Sequence, residues 1–583
     1  MKAKKALAAL LAAGLVISLA ACSGRTNTDT VADTEEASQE AVTKSSEAVP
    51  ETPPEPPEGE TPPEGMPSEQ GMPGGTLPEG ETPPEPPEGG MPGGQGGPGG
   101  QGFPGGNGQQ GPGGRPGEQG FPGGNPPDGS FPEGETPPEP PEGGMPGGQG
   151  FPGGNGQQGP GGRPDGQGGP GGMPGGSSAS VDYSAAEELA SAETQSGQTY
   201  VSSKSDESAL IIATSDAVTV ENATVTKTGD SDGGDACSFY GLNAAVLVKD
   251  GAAAEITGGT VTSDAKGANA VFCYGGNGGR NGAEGDGTTL TVKNTVIRTS
   301  GDGSGGIMTT GGGITLAENL DVVTEGRSSA AIRTDRGGGT VWVTGGTYET
   351  NGLGSLAIYS TAEIHVNGAK LTSNLSEGIC IEGLNAVELT DCELTANNTK
   401  CNGNATFLDS VMIYQSMSGD AASGTSHFTM TGGTLTSKNG HVFHVTNTSA
   451  VITLSGTTIV NEDSENVLIS VCDDGWSGAG NKAELNASGQ KLSGAVLVGD
   501  NSELSLNLTN GSSFEGFVDG KVTNAKGETV STEAGTVSVT LDESSSWTLT
   551  ADSYITEFNG SAANVVSSGF TLYVNGTPLA GTK

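Results

Sequence analysis

The sequence predicts an all-β chain wound as a parallel β-helix, and three observations predict it. First, one phrase keeps returning: Ile314-Thr-Leu316-Ala-Glu-Asn-Leu320, Val341-Trp-Val343-Thr-Gly-Gly-Thr-Tyr348, Ile364-His-Val366-Asn-Gly-Ala-Lys-Leu371 and Val387-Glu-Leu389-Thr-Asp-Cys-Glu-Leu394. Leu316, Val343, Val366 and Leu389 lie 27, 23 and 23 residues apart, and Val343, Val366 and Leu389 are expected to form one interior ladder. The apolar period of two marks a strand, and the Gly or Asn corner turns it. Second, another strand-like phrase sits between copies, at 331–335, 356–360 and 378–382. Short strands on a repeat of this length make one coil, which stacks on the next at the ~4.8 Å strand spacing. Third, Pro578 is the only proline from Tyr200 to Lys583. Proline cannot donate to a ladder, so a continuously bonded stack excludes it.

The chain begins with Lys2, Lys4 and Lys5 ahead of an apolar run from Ala6 to Leu19. Leu19-Ala20-Ala21-Cys22 then resembles the lipobox of bacterial lipoproteins. That resemblance implies a signal peptide over 1–22, a lipid on Cys22, and a location on the outer face of the bacterial membrane, reaching through the wall. No other stretch is apolar for the ~18 residues a spanning helix needs.

Residues 23–176 read as a disordered linker, holding every proline except Pro578 and repeating Glu-Thr-Pro-Pro-Glu-Pro-Pro-Glu-Gly at 51–59, 81–89 and 135–143. Such a segment buries too little apolar area to offset its ordering entropy. From Gly93 to Asn125 every third residue is Gly, a partly collagen-like register that Pro126 and Asp165 break; a flexible spacer is the expected state. Residues 177–199 are a transition segment, 200–520 the β-helix, and 521–583 a C-terminal β segment covering its last coil. Insertions interrupt the period at Gly275–Gly287 and Asn397–Gly424, and loops leaving a coil are where such folds place function.

The net charge of −44 argues against nucleic acid, since no basic stripe exists to neutralise phosphates. It suits a solvated extracellular surface with loose binding of divalent cations such as Ca2+. Only His365, His427, His441 and His444 occur, and no metal-ligand spacing stands out. Besides Cys22 there are Cys237, Cys273, Cys380, Cys392, Cys401 and Cys472, readable as disulfides or as small core residues.

The coil phrases resemble the right-handed parallel β-helix superfamily, the pectate-lyase-like fold of pectate lyases, polygalacturonases and many surface adhesins. Gly306-Ile-Met-Thr-Thr-Gly-Gly-Gly313, Ala331-Ile-Arg-Thr-Asp-Arg-Gly-Gly-Gly339, Met412-Ile-Tyr-Gln-Ser-Met-Ser-Gly-Asp-Ala421 and Val445-Thr-Asn-Thr448 are similar to adhesin-like secreted proteins of Gram-positive bacteria. The resemblance implies fold and location, and carries over no catalytic residues.

Lyases of this fold use an Arg base, and its hydrolases use clustered Asp residues. Arg333, Asp335 and Arg336 are the first candidates; with Ile332 and Thr334 inward, alternation puts Arg333 and Asp335 together outside, where the plainer reading is a surface ion pair. Asp473 and Asp474, with Gly440-His441, resemble polygalacturonase elements in reversed chain order, which argues against carrying that role over. Aligning the second strand of successive coils stacks Arg333, Tyr359, Glu382, Tyr414 or Gln415, and His444 into one outward stripe. Aromatic, amide and charged groups on a flat sheet face suit sugars. The expected function is adhesion or glycan binding without turnover, toward polysaccharide or host-surface glycans. The alternatives are a lyase or hydrolase, marked by a cleft of converging carboxylates, and a structural wall component.

Overall fold

A computed structural model of the chain describes residues 181–278 and 284–583. The signal peptide with Cys22, the 23–176 segment, residues 177–180 and part of the Gly275–Gly287 loop lie outside the described residues. The described chain is a parallel β-helix of three sheets, with fifteen, fourteen and ten strands. Successive strands visit the first, second and third sheet in turn, as in Ile307–Thr310, Gly313–Glu318 and Asp321–Thr324. Each then pairs in parallel with its counterpart one coil on, Ile332–Thr334, Gly339–Thr344 and Thr347–Thr350.

The core is a set of ladders running along this stack. In the second sheet Val343, Val366, Leu389, Met430 and Leu454 are in register and all buried. In the first sheet Ile307, Ile332, Ile358, Ile379, Val411 and Phe443 do the same. Leu316, which holds the same place in the repeated phrase, does not join this ladder. It pairs with Trp342 and faces outward, while Ala317 pairs with Val343 and takes the interior position. Here Gly313, Thr315 and Ala317 point inward, and Thr315 Oγ1 finds its partner in Thr309 Oγ1 at 2.6 Å. The coil therefore buries its small side and shows its aliphatic side, which alternation alone cannot distinguish.

The corner between second and third sheets explains the recurring Gly or Asn. Gly197, Asn222, Gly258, Asn294, Asn319, Gly345, Gly368, Asp391, Gly432 and Gly456 all hold φ between 50° and 67° there, and beyond the third sheet Gly489 and Asn510 hold it where the chain turns from the second sheet to the first. Only Gly, and Asn or Asp with their short polar side chains, adopt that left-handed geometry readily.

The stack begins earlier than the sequence suggests. Ser184–Leu189 already pairs with Glu207–Ala213, and Glu193–Ser196 with Ala217–Glu221, although both first-coil strands are polar and only Leu189 of them is buried. The third sheet ends with Thr458–Asn461. Beyond it the chain alternates between two sheets through longer strands, Asn481–Ser488, Lys491–Val498 and Ser502–Thr509. Both continue past residue 521, to Glu557–Asn559 and Val565–Val566, and a small three-stranded sheet lies beside the last turns. The six described cysteines are all free thiols, and of these only Cys401 is not buried.

Candidate functional site

Four segments fold over the outer face of the first sheet: the short helix Asp235–Tyr240, the loop carrying Trp476, and the loops 397–408 and 415–424 on either side of Asp409–Tyr414, which is not part of an insertion as expected but a strand of that sheet. Together they roof a cleft of about 250 Å3 lined by Phe239, Arg333, Asp335, Tyr359, Glu382, Tyr414, Asp420 and Trp476. Long loops on a rigid coil make the walls, and the sheet makes the floor.

The expected single stripe is two neighbouring columns. Arg333, Tyr359, Cys380, Met412 and His444 are in register in one, and Glu382 and Tyr414 stand two residues further along in the next. Neither column is a flat, solvated face. Tyr359, Cys380, Met412 and Tyr414 form a buried outer cluster with Ala330 and Leu356, and Trp476 packs on it. The Arg333–Asp335 pair is not a surface pair either: Arg333 Nη2 donates to Asp335 Oδ2 at 2.5 Å with the side chains only 13% and 4% exposed. These loops cover what alternation predicted to be solvent-facing.

Two hydrogen-bond networks hold the cleft. In one, Glu382 Oε2 accepts from Tyr359 Oη at 2.6 Å and Tyr414 Oη at 3.2 Å, and Oε1 accepts from the Ser416 hydroxyl. Burial, and then the Glu382 carboxylate, push both tyrosine hydroxyls well above the usual phenol range. In the other, Asp335 Oδ1 accepts from the Arg336 amide at 2.9 Å, and the Arg336 guanidinium pairs with Asp420 while lying 4.1 Å above the Phe239 ring. Arg333 sits 5.4 Å from the Tyr359 ring centre, a cation–π contact. Burial pushes the Asp335 carboxyl up to about 6; Arg333 pulls it back only partly, with Asp420 adding repulsion.

The remaining candidates lie elsewhere. Gln415 is buried and its amide donates to the Ala421 and Ser416 carbonyls at 3.3 Å, bracing the 415–424 loop. His444 is fully buried beneath Phe407, ring centres 4.5 Å apart, because the 397–408 loop closes over that end of its column. Its Nδ1 lies 2.8 Å from Ser470 Oγ, which also contacts His441 Nδ1 at 2.7 Å, and its Nε2 lies 3.4 Å from Asp474 Oδ2. Burial pushes His441 down to about 3, so it is neutral. Asp473 and Asp474 diverge: Asp473 accepts from Asn481 at 2.7 Å, while Asp474 accepts from the Thr406 amide and hydroxyl at 2.8 and 2.7 Å. Beside them Glu377 and Asp409 are buried carboxyls pushed upward by burial and by neighbouring carboxylates, Asp474 included. Among the described residues no three His, Cys, Asp or Glu side chains converge as a metal site.

Sequence reasoning missed Phe239, Ser416, Asp420 and Trp476. Asp420 and Ser416 sit in a segment already marked as functional, but Phe239 and Trp476 reach the cleft from chain positions with no periodic signal. The fold and cleft define the class, an all-β parallel β-helix with a roofed polar–aromatic cleft on its first sheet. No family model, no curated protein and no solved structure matches the chain.

Proposed function

We propose that the chain is a glycan-binding protein of the bacterial surface, anchored by a lipid on Cys22, with residues 23–176 as the spacer and the first-sheet cleft as the sugar site. One observation carries this reading. Both oxygens of Asp335 and both of Glu382 already accept hydrogen bonds from protein donors. Carboxylates so engaged fix the rings of Tyr359 and Tyr414 and the Arg333 guanidinium as preorganised walls, and sugars pack C–H faces on such rings. They do not present a free acid and base to a scissile bond. Arg333 is also a poor lyase base: burial alone would lower it, but Asp335 and Tyr359 more than offset that and hold it above its usual value.

A hydrolase is the second reading, favoured by one observation. Asp335 and Glu382 both line the cleft, from positions two coils apart whose backbones are separated by roughly 9.6 Å, so that an acid and a base could face one substrate. Asp335, at about 6, would be the acid.

The test is a glycan array on the full chain, followed by affinity and product release for each hit. Binding without turnover is expected, and Trp476→Ala weakens it by about 1–3 kcal/mol, the usual cost of losing an aromatic anchor. Sustained reducing-sugar release, lost in Glu382→Gln, replaces this reading with hydrolysis. Fatty-acid labelling of Cys22→Ala tests the anchor: label undiminished on the variant refutes it.

A further inference from the structure

The outer face of the second sheet carries mostly Thr, Ser, Asn and Glu, and in its midst Trp342 is 44% exposed. Trp342 stands in register with His365, and His365 with Glu388. The indole and imidazole rings stack at 3.9 Å and 10°, and His365 Nδ1 is 2.9 Å from Glu388 Oε2. The imidazole, on the neighbouring strand, covers one face of the indole and holds it in one orientation without burying it. The adjoining outward column, two residues along the strands, contains Thr340, Glu363 and His427. It floors a groove of about 490 Å3 bounded by Ile314 and by Leu384, itself 55% exposed. Glu284 and Glu363 line this groove, and among the described residues no Lys or Arg does.

We propose that this groove and the Trp342–His365 platform form a second carbohydrate site, for glycans carrying free amino groups. An exposed indole beside carboxylates attracts an ammonium through the ring quadrupole and through charge at once. The same carboxylates repel uronates and leave an acetylated amine without its ionic contribution. Pyranose C–H surfaces fit the groove's mixed aliphatic and hydroxyl lining. The site is independent of the first-sheet cleft, since it uses another sheet and none of the cleft residues.

The experiment titrates the full chain by calorimetry with glucosamine hexamer, N-acetylglucosamine hexamer and galacturonate hexamer. The glucosamine hexamer is expected to bind tightest, and Trp342→Ala to weaken it about tenfold, within the range of a cation–π anchor. Glu363→Gln, a change at an exposed side chain, is expected to weaken it several-fold while leaving the melting temperature alone. Trp476→Ala, in the other cleft, leaves this binding unchanged. The proposal is overturned if the glucosamine hexamer does not bind. It is equally overturned if either other hexamer binds as tightly, or if Trp342→Ala and Glu363→Gln both bind like the unaltered chain. Loss in Trp476→Ala alone places the amine-bearing glycan in the first cleft and also overturns it.

Discussion

Tyr359→Phe removes one oxygen and keeps the ring, so it probes the hydrogen-bond network around Glu382. Glu382 is 1% exposed, and its Oε2 has the Tyr359 hydroxyl at 2.6 Å and the Tyr414 hydroxyl at 3.2 Å. A hydrogen bond to a charged group contributes about 1.5–3 kcal/mol, and the shorter bond belongs toward the upper end. Tyr414→Phe, losing the longer bond, is expected to cost about 1 kcal/mol. Either variant leaves Oε2 one donor. The double variant leaves it none, with the oxygen still buried, so its cost exceeds the sum of the singles by about 1–2 kcal/mol. Denaturant unfolding followed by circular dichroism measures all three, and glycan affinity on the same samples reports whether the cleft walls have loosened. Phe at either position still packs in the outer cluster, so the expected loss is of hydrogen bonding and not of volume. An unchanged midpoint for Tyr359→Phe, or strictly additive singles, would mean that Glu382 does not organise the cleft.

Val366→Asp should cost about 3–5 kcal/mol, because an unpaired charge replaces a side chain that is 2% exposed between Val343 and Leu389; an unaltered melting temperature refutes the ladder. Asp335 supplies a pH dependence of definite sign. Its carboxyl rises from 3.8 to about 6, so between these values the folded chain keeps a proton that the unfolded chain has released. Its contribution is therefore greatest below pH 4 and is lost as pH rises through 6, by up to about 3 kcal/mol. Glu377 and Asp409 shift in the same direction, so the comparison is with Asp335→Asn, whose melting temperature should vary less between pH 4 and 7. Equal profiles for the two proteins refute the assignment.

The sequence by itself determined the coil, because its causes are local. Alternation selects strands, absence of proline permits unbroken ladders, and a left-handed corner admits little besides Gly, Asn and Asp. It also determined that Val343, Val366 and Leu389 align, and that Arg333 and Tyr359 share an outward column. Which side of a coil is interior is not set by the strand alone: at Gly313–Glu318 the larger residues face out, since neighbouring coils decide how much room the interior has. Only the tertiary structure decided what lies over the outward columns. The loops 397–408 and 415–424, the 235–240 helix and the Trp476 loop meet above the first sheet from remote parts of the chain. That meeting turns the Arg333–Asp335 pair from a solvated contact into a buried one and encloses Glu382 with two tyrosines 23 and 32 residues away. It also removes His444 from solvent altogether. Alternation reports only which way a side chain leaves the sheet; whether it then meets water or protein depends on loops whose paths no period encodes.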